Sequence, residues 1–154
     1  MTSRVDEIIR SALNEGRTAL LEPEAKRVCN DYGIPTPRFR AVSRSEEAVK
    51  AARSLGFPVV LKIVSPDIVH KTEAKCVTLN LKNATEVKRS FHEILDNARR
   101  RVPGAKIRGI LVEKMLPRGT EVIIGSFREP GFGQTLMFGL GGVFVELFED
   151  VSFR

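Results

Sequence analysis

No apolar run in this chain approaches the roughly 20 residues that a membrane-spanning helix needs, so no such helix is expected. The N-terminus carries Arg4, Asp6 and Glu7 among its apolar residues and does not read as a signal peptide. Cysteine is scarce: Cys29 and Cys76 lie far apart with no metal-ligand spacing around them. With no secretion signal, two separated thiols point to a reduced, cytoplasmic protein and not to a disulfide scaffold. Tryptophan is absent, which decides nothing. There is no internal repeat and no low-complexity segment.

What is present is an ordinary globular composition, 42% hydrophobic and 29% charged over 154 residues. That is enough for one compact domain or two small lobes. The net charge of +6 suits phosphate-bearing ligands such as nucleotides, CoA or nucleic acid, and it equally suits a solvated surface rich in Lys and Arg. The densest basic run, Arg99-Arg100-Arg101, sits at the end of an expected helix, where positive charge complements the helix dipole. It has no interleaved aromatics, and nucleic-acid binding is not expected.

Apolar periodicity predicts the elements. Val5, Ile8, Ile9, Ala12 and Leu13 share a helical face, with Ser3 and Asp6 as a start signal and Gly16 as a stop. A second helix begins at Glu22-Pro23. Arg38 to Val42 reads as a short strand, and Ser43 with Glu46 opens a third helix closed by Gly56. Then comes the run Val59-Val60-Leu61-Lys62-Ile63-Val64, a buried strand interrupted by one lysine. Cys76 to Leu81 reads as its hairpin partner, and Asn83 to Arg101 as the longest helix. Strands follow at Ile107 to Met115, Glu121 to Arg128 and Gln134 to Leu140, with turns at Pro117-Arg118-Gly119 and Glu129-Pro130-Gly131. The pattern implies an α+β fold with a largely antiparallel later sheet. Apolar residues still arrive as late as Phe153, one position before the last, so either the final strand is edge-exposed or the sequence is part of a longer or split protein.

Several residues offer chemistry. Lys62 either projects its ammonium to the surface or meets negative charge, because a buried lysine is costly without a partner. His70 lies on the polar stretch after the strand, beside Lys71, Thr72 and Glu73. It is either a solvated histidine or a nucleophile whose tautomer a carboxylate such as Glu73 can set. Glu113 and Glu121 flank a turn and are either solvated acids or ribose ligands. Arg128 ends a strand and suits phosphate or the surface. Gly139-Leu140-Gly141-Gly142 is a weak candidate for close backbone approach to phosphate or for a tight turn. Glu146, Glu149 and Asp150 are candidate oxygen ligands for a divalent cation, or one polar face.

Taken in order, these blocks resemble the ATP-grasp β subunit of ADP-forming acyl-CoA synthetases, acetyl-CoA synthetase (ADP-forming) above all. The resemblance is carried by Glu22-Pro23-Glu24-Ala25-Lys26 through Tyr32-Gly33-Ile34-Pro35, by Phe57 through Val77, and by Ile110 through Arg154, including Met137-Phe138-Gly139-Leu140-Gly141-Gly142-Val143-Phe144-Val145-Glu146. It implies an ATP-grasp fold of two lobes around ATP or ADP, with residues 1–105 as an N-terminal region and first lobe and 106–154 as a partial second lobe. It implies that Lys62 contacts nucleotide phosphates, that Glu113, Lys114 and Met115 form the hinge that reads adenine, and that Glu121 lies near the ribose. Arg128 would offset phosphate charge. His70 would take a phosphoryl group on a mobile loop and relay it between a CoA-binding α subunit and ADP, with Mg²⁺.

Two departures from that family pattern stand out. The family follows the histidine with Lys-Ser/Thr-Asp-Val-Gly-Gly-Val, and here Lys75 and Cys76 replace the two glycines. If glycine is needed there, the loop should move or bind less well, although Lys75 could add a phosphate contact. Family members also continue past Ser-Phe-Arg into a segment with Mg²⁺ ligands, for which Glu146 and Asp150 are weak substitutes. The expectation is therefore a phosphoryl-relaying ligase subunit, C-terminally incomplete, with a separate C-terminal segment as a possible second partner. The alternative is a truncated nucleotide-binding or assembly module with little activity alone.

Overall fold

The computed structural model describes residues 3–141 and 151–153. It divides into two units, Met1–Leu116 and Pro117–Arg154.

The first unit begins with α1 (Arg4–Asn14) and α2 (Glu22–Asp31). Ser3 and Asp6 form the expected capping box on α1, each accepting the other's backbone N–H at 3.1 Å. In α2, Glu24 accepts the Leu21 N–H at 2.8 Å and both Arg17 guanidinium nitrogens at 2.8 Å, which ties the helix start to the preceding loop. Then follow β1 (Phe39–Val42), α3 (Ser45–Leu55), β2 (Val59–Val64), β3 (Val77–Leu81), α4 (Ala84–Arg101) and β4 (Gly109–Lys114). The start of α3 differs from the sequence expectation. Arg44, not Ser43, is the cap residue, and its side chain makes no capping bond. Glu47 provides for the open end by accepting the Ser43 N–H at 3.2 Å and pairing with Arg44 at 2.6 Å.

The four strands form one antiparallel sheet in the order β1-β4-β2-β3. One face, with Val59, Leu61, Ile63, Ile110 and Val112, packs on Ala48, Ala52 and Leu55 of α3 and on Val87, Phe91, Ile94 and Ala98 of α4. Burying each large aliphatic of that set contributes about 1.5–3 kcal/mol. Strand alternation sends Val60, Lys62 and Val64 of β2, with Leu111 and Glu113 of β4, to the other face. This is the face that α2 reaches through Glu22 and Lys26.

The compact units divide at 116/117, beyond the 105/106 lobe boundary that came with the resemblance. The reason is β4, which pairs with both β1 and β2 and so lies inside the first sheet. Gly109 opens β4 at φ +138°, where an added Cβ would meet the Val42 carbonyl oxygen at 2.6 Å. Only glycine lets the two backbones approach that closely.

The second unit holds β5 (Val122–Glu129) and β6 (Gly133–Leu140), an antiparallel hairpin in register from Val122 opposite Leu140 to Glu129 opposite Gly133. A short β7 (Val151–Phe153) pairs with β6. All strand pairings among the described residues are antiparallel. The glycine-rich stretch is strand through Leu140, and Gly142 lies outside the described residues. Gly139 and Leu140 are strand residues, and the Gly141 N–H donates to the Glu121 carbonyl at 2.8 Å. A Cβ on Gly141 would sit 3.1 Å from the Glu121–Val122 backbone, so this glycine serves strand packing.

Candidate functional site

The lysine in the buried strand finds its partner in α2. Lys62 Nζ donates to Glu22 Oε1 at 2.8 Å and lies 3.6 Å from Glu113 Oε2. Lys26 Nζ lies 3.0 Å from the same Glu113 oxygen, and Lys71 Nζ lies 3.4 Å from Glu22 Oε2. Three ammonium groups thus surround two carboxylates and leave one positive charge over. Burial by itself would push the Glu22 carboxyl up. The hydrogen bond and charge of Lys62, with the charges of Lys71 and Lys26, more than reverse this and hold it below its usual range.

Glu113 is not the solvated strand-end acid that its spacing allowed. Its side chain is 9% exposed, on the sheet face opposite the helices. Its Oε2 accepts no well-directed hydrogen bond among the described residues, so Lys26 and Lys62 compensate it by charge alone. Lys114 is also committed. Its ammonium donates to the Gly56 and Phe57 carbonyls, each at 2.9 Å, and so closes the end of α3. Both side chains have partners within the first unit in this arrangement. Met115 is half-buried, and its N–H donates to the Pro58 carbonyl at 3.2 Å.

The segment after β2 is seated in the core at both ends. Ile68 is 2% exposed and Cys76 is fully buried. Asp67 Oδ2 accepts the Lys106 N–H at 2.6 Å, and Asn97 Nδ2 donates to the Lys75 carbonyl at 2.9 Å. Between these anchors the His70 side chain is 77% exposed, with Nδ1 3.7 Å from Glu73 Oε1. A cavity of about 500 Å³ is lined by Lys62, Val69, His70, Lys71, Thr72, Glu73 and Val77. It brings the two leading sequence candidates, Lys62 and His70, to one space.

The two glycine replacements have distinct structural roles. Lys75 adopts φ +53°, the left-handed region that favours glycine. Cys76 is a core residue beneath α4, with Sγ 3.8 Å from the Ile94 carbonyl oxygen, and burial pushes its thiol pKa up.

In the second unit, Glu121 is exposed, and its backbone carbonyl holds Gly141. Arg128 is an exposed β5 residue opposite Gln134. Glu146, Glu149 and Asp150 lie outside the described residues. Among the described residues no group of three or more His, Cys, Asp or Glu side chains is placed to hold a metal ion. A Mg²⁺ carried with a nucleotide takes only one or two protein carboxylates beside phosphate oxygens and waters, so it needs no such group. Sequence reasoning did not pick out Glu22, Lys26 or Lys71 as parts of one charge cluster. The available signal was Lys62 itself, since a lysine in a buried strand requires a nearby anion.

A family model described as an ATP-grasp domain matches residues 11–154. This chain belongs to the ATP-grasp family. The ATP-grasp chain is 49% identical over 152 residues to the β subunit of ADP-forming acetate–CoA ligase I from Pyrococcus furiosus, covering 99% of this chain and 65% of that subunit. The chain thus spans just under two thirds of that relative's length. It superposes with TM-score 0.93 and 53% identity on Ca. Korarchaeum cryptofilum dinucleotide-forming acetyl-coenzyme A synthetase 1 in complex with coenzyme A, Ca-AMPCP and HgCl⁺, covering 96% of this chain and 65% of that one. The same synthetase with coenzyme A and Mg-AMPPCP has its phosphohistidine segment pointing towards the nucleotide binding site. The ATP-grasp chain matches it at TM-score 0.82 and 48% identity over 97% of its length and 63% of that chain.

Proposed function

We propose that this chain is the ATP-grasp subunit, or part of it, of an ADP-forming acyl-CoA ligase of the acetate–CoA type. In this reading His70 relays a phosphoryl group between a CoA-binding α partner and bound ADP or ATP. The observation that carries the reading is the shared cavity, which an exposed His70 and the side chains of Lys62 and Lys71 line together. The likeness to β subunits and to a synthetase with a phosphohistidine segment supports it.

The chemistry is a pair of in-line displacements at phosphorus. Glu73 Oε1 lies 3.7 Å from His70 Nδ1, a carboxylate on that side is suited to a proton on Nδ1, and Nε2 is then the nucleophile. Nε2 attacks the phosphorus of a phosphohistidine on the partner. A new P–N bond forms, the old one breaks, and the partner imidazole leaves with the electron pair. An oxygen of the ADP β-phosphate then attacks the same phosphorus. The P–N bond to His70 breaks, a P–O bond forms, and ATP results. On the partner, acyl-CoA and phosphate give CoA and an acyl phosphate, and the acyl phosphate passes its phosphoryl group to the partner's histidine and leaves as free acid, so the sum is acyl-CoA, ADP and phosphate to acid, CoA and ATP. Lys62 and Lys71 offset the charge spread over the phosphoryl oxygens. Mg²⁺ would supply further charge neutralisation when bound. Adenine recognition falls to backbone atoms near Met115, because the Glu113 and Lys114 side chains are engaged elsewhere. Glu121 and Arg128 keep their proposed ribose and phosphate roles on resemblance. No helix among the described residues is long and apolar enough to cross a membrane, and the proposal places the reaction in the cytoplasm.

The test combines the chain with a CoA-binding α partner, acetyl phosphate and Mg²⁺ and assays acid-labile phosphate on His70. The parent should label and His70→Asn should not. Equal labelling of both rejects the relay. Nucleotide binding without any label on the parent assigns the chain to the alternative, a binding or assembly module.

A further inference from the structure

Glu22 is one carboxylate gripping two ammonium groups from different parts of the chain. Its Oε1 takes Lys62 from the rigid centre of the sheet at 2.8 Å, and its Oε2 takes Lys71 from the His70 loop at 3.4 Å. The geometry is that of an anion seat already filled. We propose that Glu22 is a positioning residue, an internal stand-in for a phosphoryl group that pins the His70–Lys71 loop against Lys62 until a phosphate takes its place. The proposal deepens the functional reading above and rests on it for the identity of the incoming anion.

Three observations support it. The first is how the loop is held. Ile68 and Cys76 are core residues, and three side chains among those described tie the seven residues between them, Val69 to Lys75, from outside: Glu22, Asn97 and Cys76, whose Sγ donates to the Ala74 carbonyl at 3.3 Å. Asn97 holds the Lys75 carbonyl at the far end, and Glu22 holds Lys71 beside the histidine. The second is charge. The cluster has one ammonium more than it has carboxylates, so it attracts a further anion, and a phosphoryl group carries about −1.5 to −2 where Glu22 carries −1. The third is accessibility. The Lys62, Lys71 and Glu22 side chains are 23–25% exposed, and both lysines line the cavity that His70 borders. Such a grip is partly screened and therefore exchangeable.

The experiment is amide hydrogen exchange across Val69–Lys75 in the parent chain, Glu22→Gln and Lys71→Met, in potassium chloride or inorganic phosphate at equal ionic strength. In chloride, both variants should exchange this segment roughly two- to fivefold faster than the parent while β2 and β4 stay unchanged. Phosphate should restore slow exchange in Glu22→Gln, where it fills the vacated seat, and not in Lys71→Met, where the loop has lost its grip. The parent alone provides a further test that needs no variant. Raising chloride should loosen the loop, and phosphate at the same ionic strength should not. The proposal is overturned if Glu22→Gln exchanges like the parent, or if phosphate and chloride act alike on it. Labelling of His70 is scored separately. A loop rescued by phosphate with no label on His70 keeps the stand-in and drops the relay, and the converse does the reverse.

Discussion

His70 and Lys71 are neighbours in the chain whose side chains differ sharply in exposure, 77% for the histidine and 25% for the lysine. The imidazole is offered outward while the adjacent ammonium is gripped by Glu22 from α2. One dipeptide therefore both presents the proposed phosphoryl carrier and anchors it.

Lys62→Met should weaken binding of a non-hydrolysable ATP analogue by about tenfold or more, because a charge-assisted hydrogen bond to phosphate is worth about 1.5–3 kcal/mol. Titration calorimetry measures this, with far-UV circular dichroism as the check on folding. Unchanged affinity would remove Lys62 from the phosphate site.

Ile68→Ala should destabilise the first unit by about 2–4 kcal/mol, since the residue is 2% exposed within the main core cluster. It should also widen the range of His70. Two residues of chain span at most about 7 Å, so a seated Ile68 limits how far the His70 backbone can travel. Spin labels at position 70 and in β4 would report a broader distance distribution in the variant.

Lys75→Gly should stabilise the chain slightly, by under about 1 kcal/mol. Removing the Cβ relieves the left-handed conformation at φ +53°, and the greater freedom of glycine in the unfolded chain offsets part of the gain. Urea denaturation should show a small rise in midpoint. A clear loss would mean that the Lys75 side chain contributes more than its backbone conformation costs.

Acid should weaken the α2 anchors. Burial pushes the Glu22 and Glu24 carboxyls up, but Lys62 and Arg17 respectively reverse it, so both fold with pKa values below the usual 4.5. Their contribution is complete above the unfolded value and is lost as pH falls through the folded ones. Stability measured from neutral pH down to about pH 3 should fall less steeply in Glu22→Gln and Glu24→Gln than in the parent.

Cys29 should react with a thiol reagent well before Cys76 in the folded chain. Cys29 is half-buried, whereas Cys76 is fully buried and its thiol is pushed further toward the protonated form. In denaturant the two rates should converge. A fast Cys76 in native buffer would show that the His70 loop opens far enough to expose it.

Most elements were legible because their signals are local. The Ser3–Asp6 cap, the proline at the start of α2 and the apolar stripes of α3 and α4 depend on residues a few positions apart. The antiparallel pairing of β2 and β3 was visible in two adjoining apolar runs. One reading drawn from spacing changed. Spacing allowed Glu113 to be a solvated strand-end acid, and the structure places it against two lysines. The compact units divide at 116/117 and not at the 105/106 that came with the resemblance, because nothing local to β4 shows that its partners are β1 and β2.

The sequence by itself determined the order of helices and strands, the lysine in the buried strand and the histidine just beyond it. Burial and turn formation respond to near neighbours, so these features are written in short stretches. Only the tertiary structure decided which anion answers that lysine. Glu22 is 40 positions away from Lys62 and Glu113 is 51, and the assembled sheet with α2 against it brings all three together. A charge in a buried strand announces that it needs a partner, while the identity of that partner depends on contacts that form only when distant segments pack.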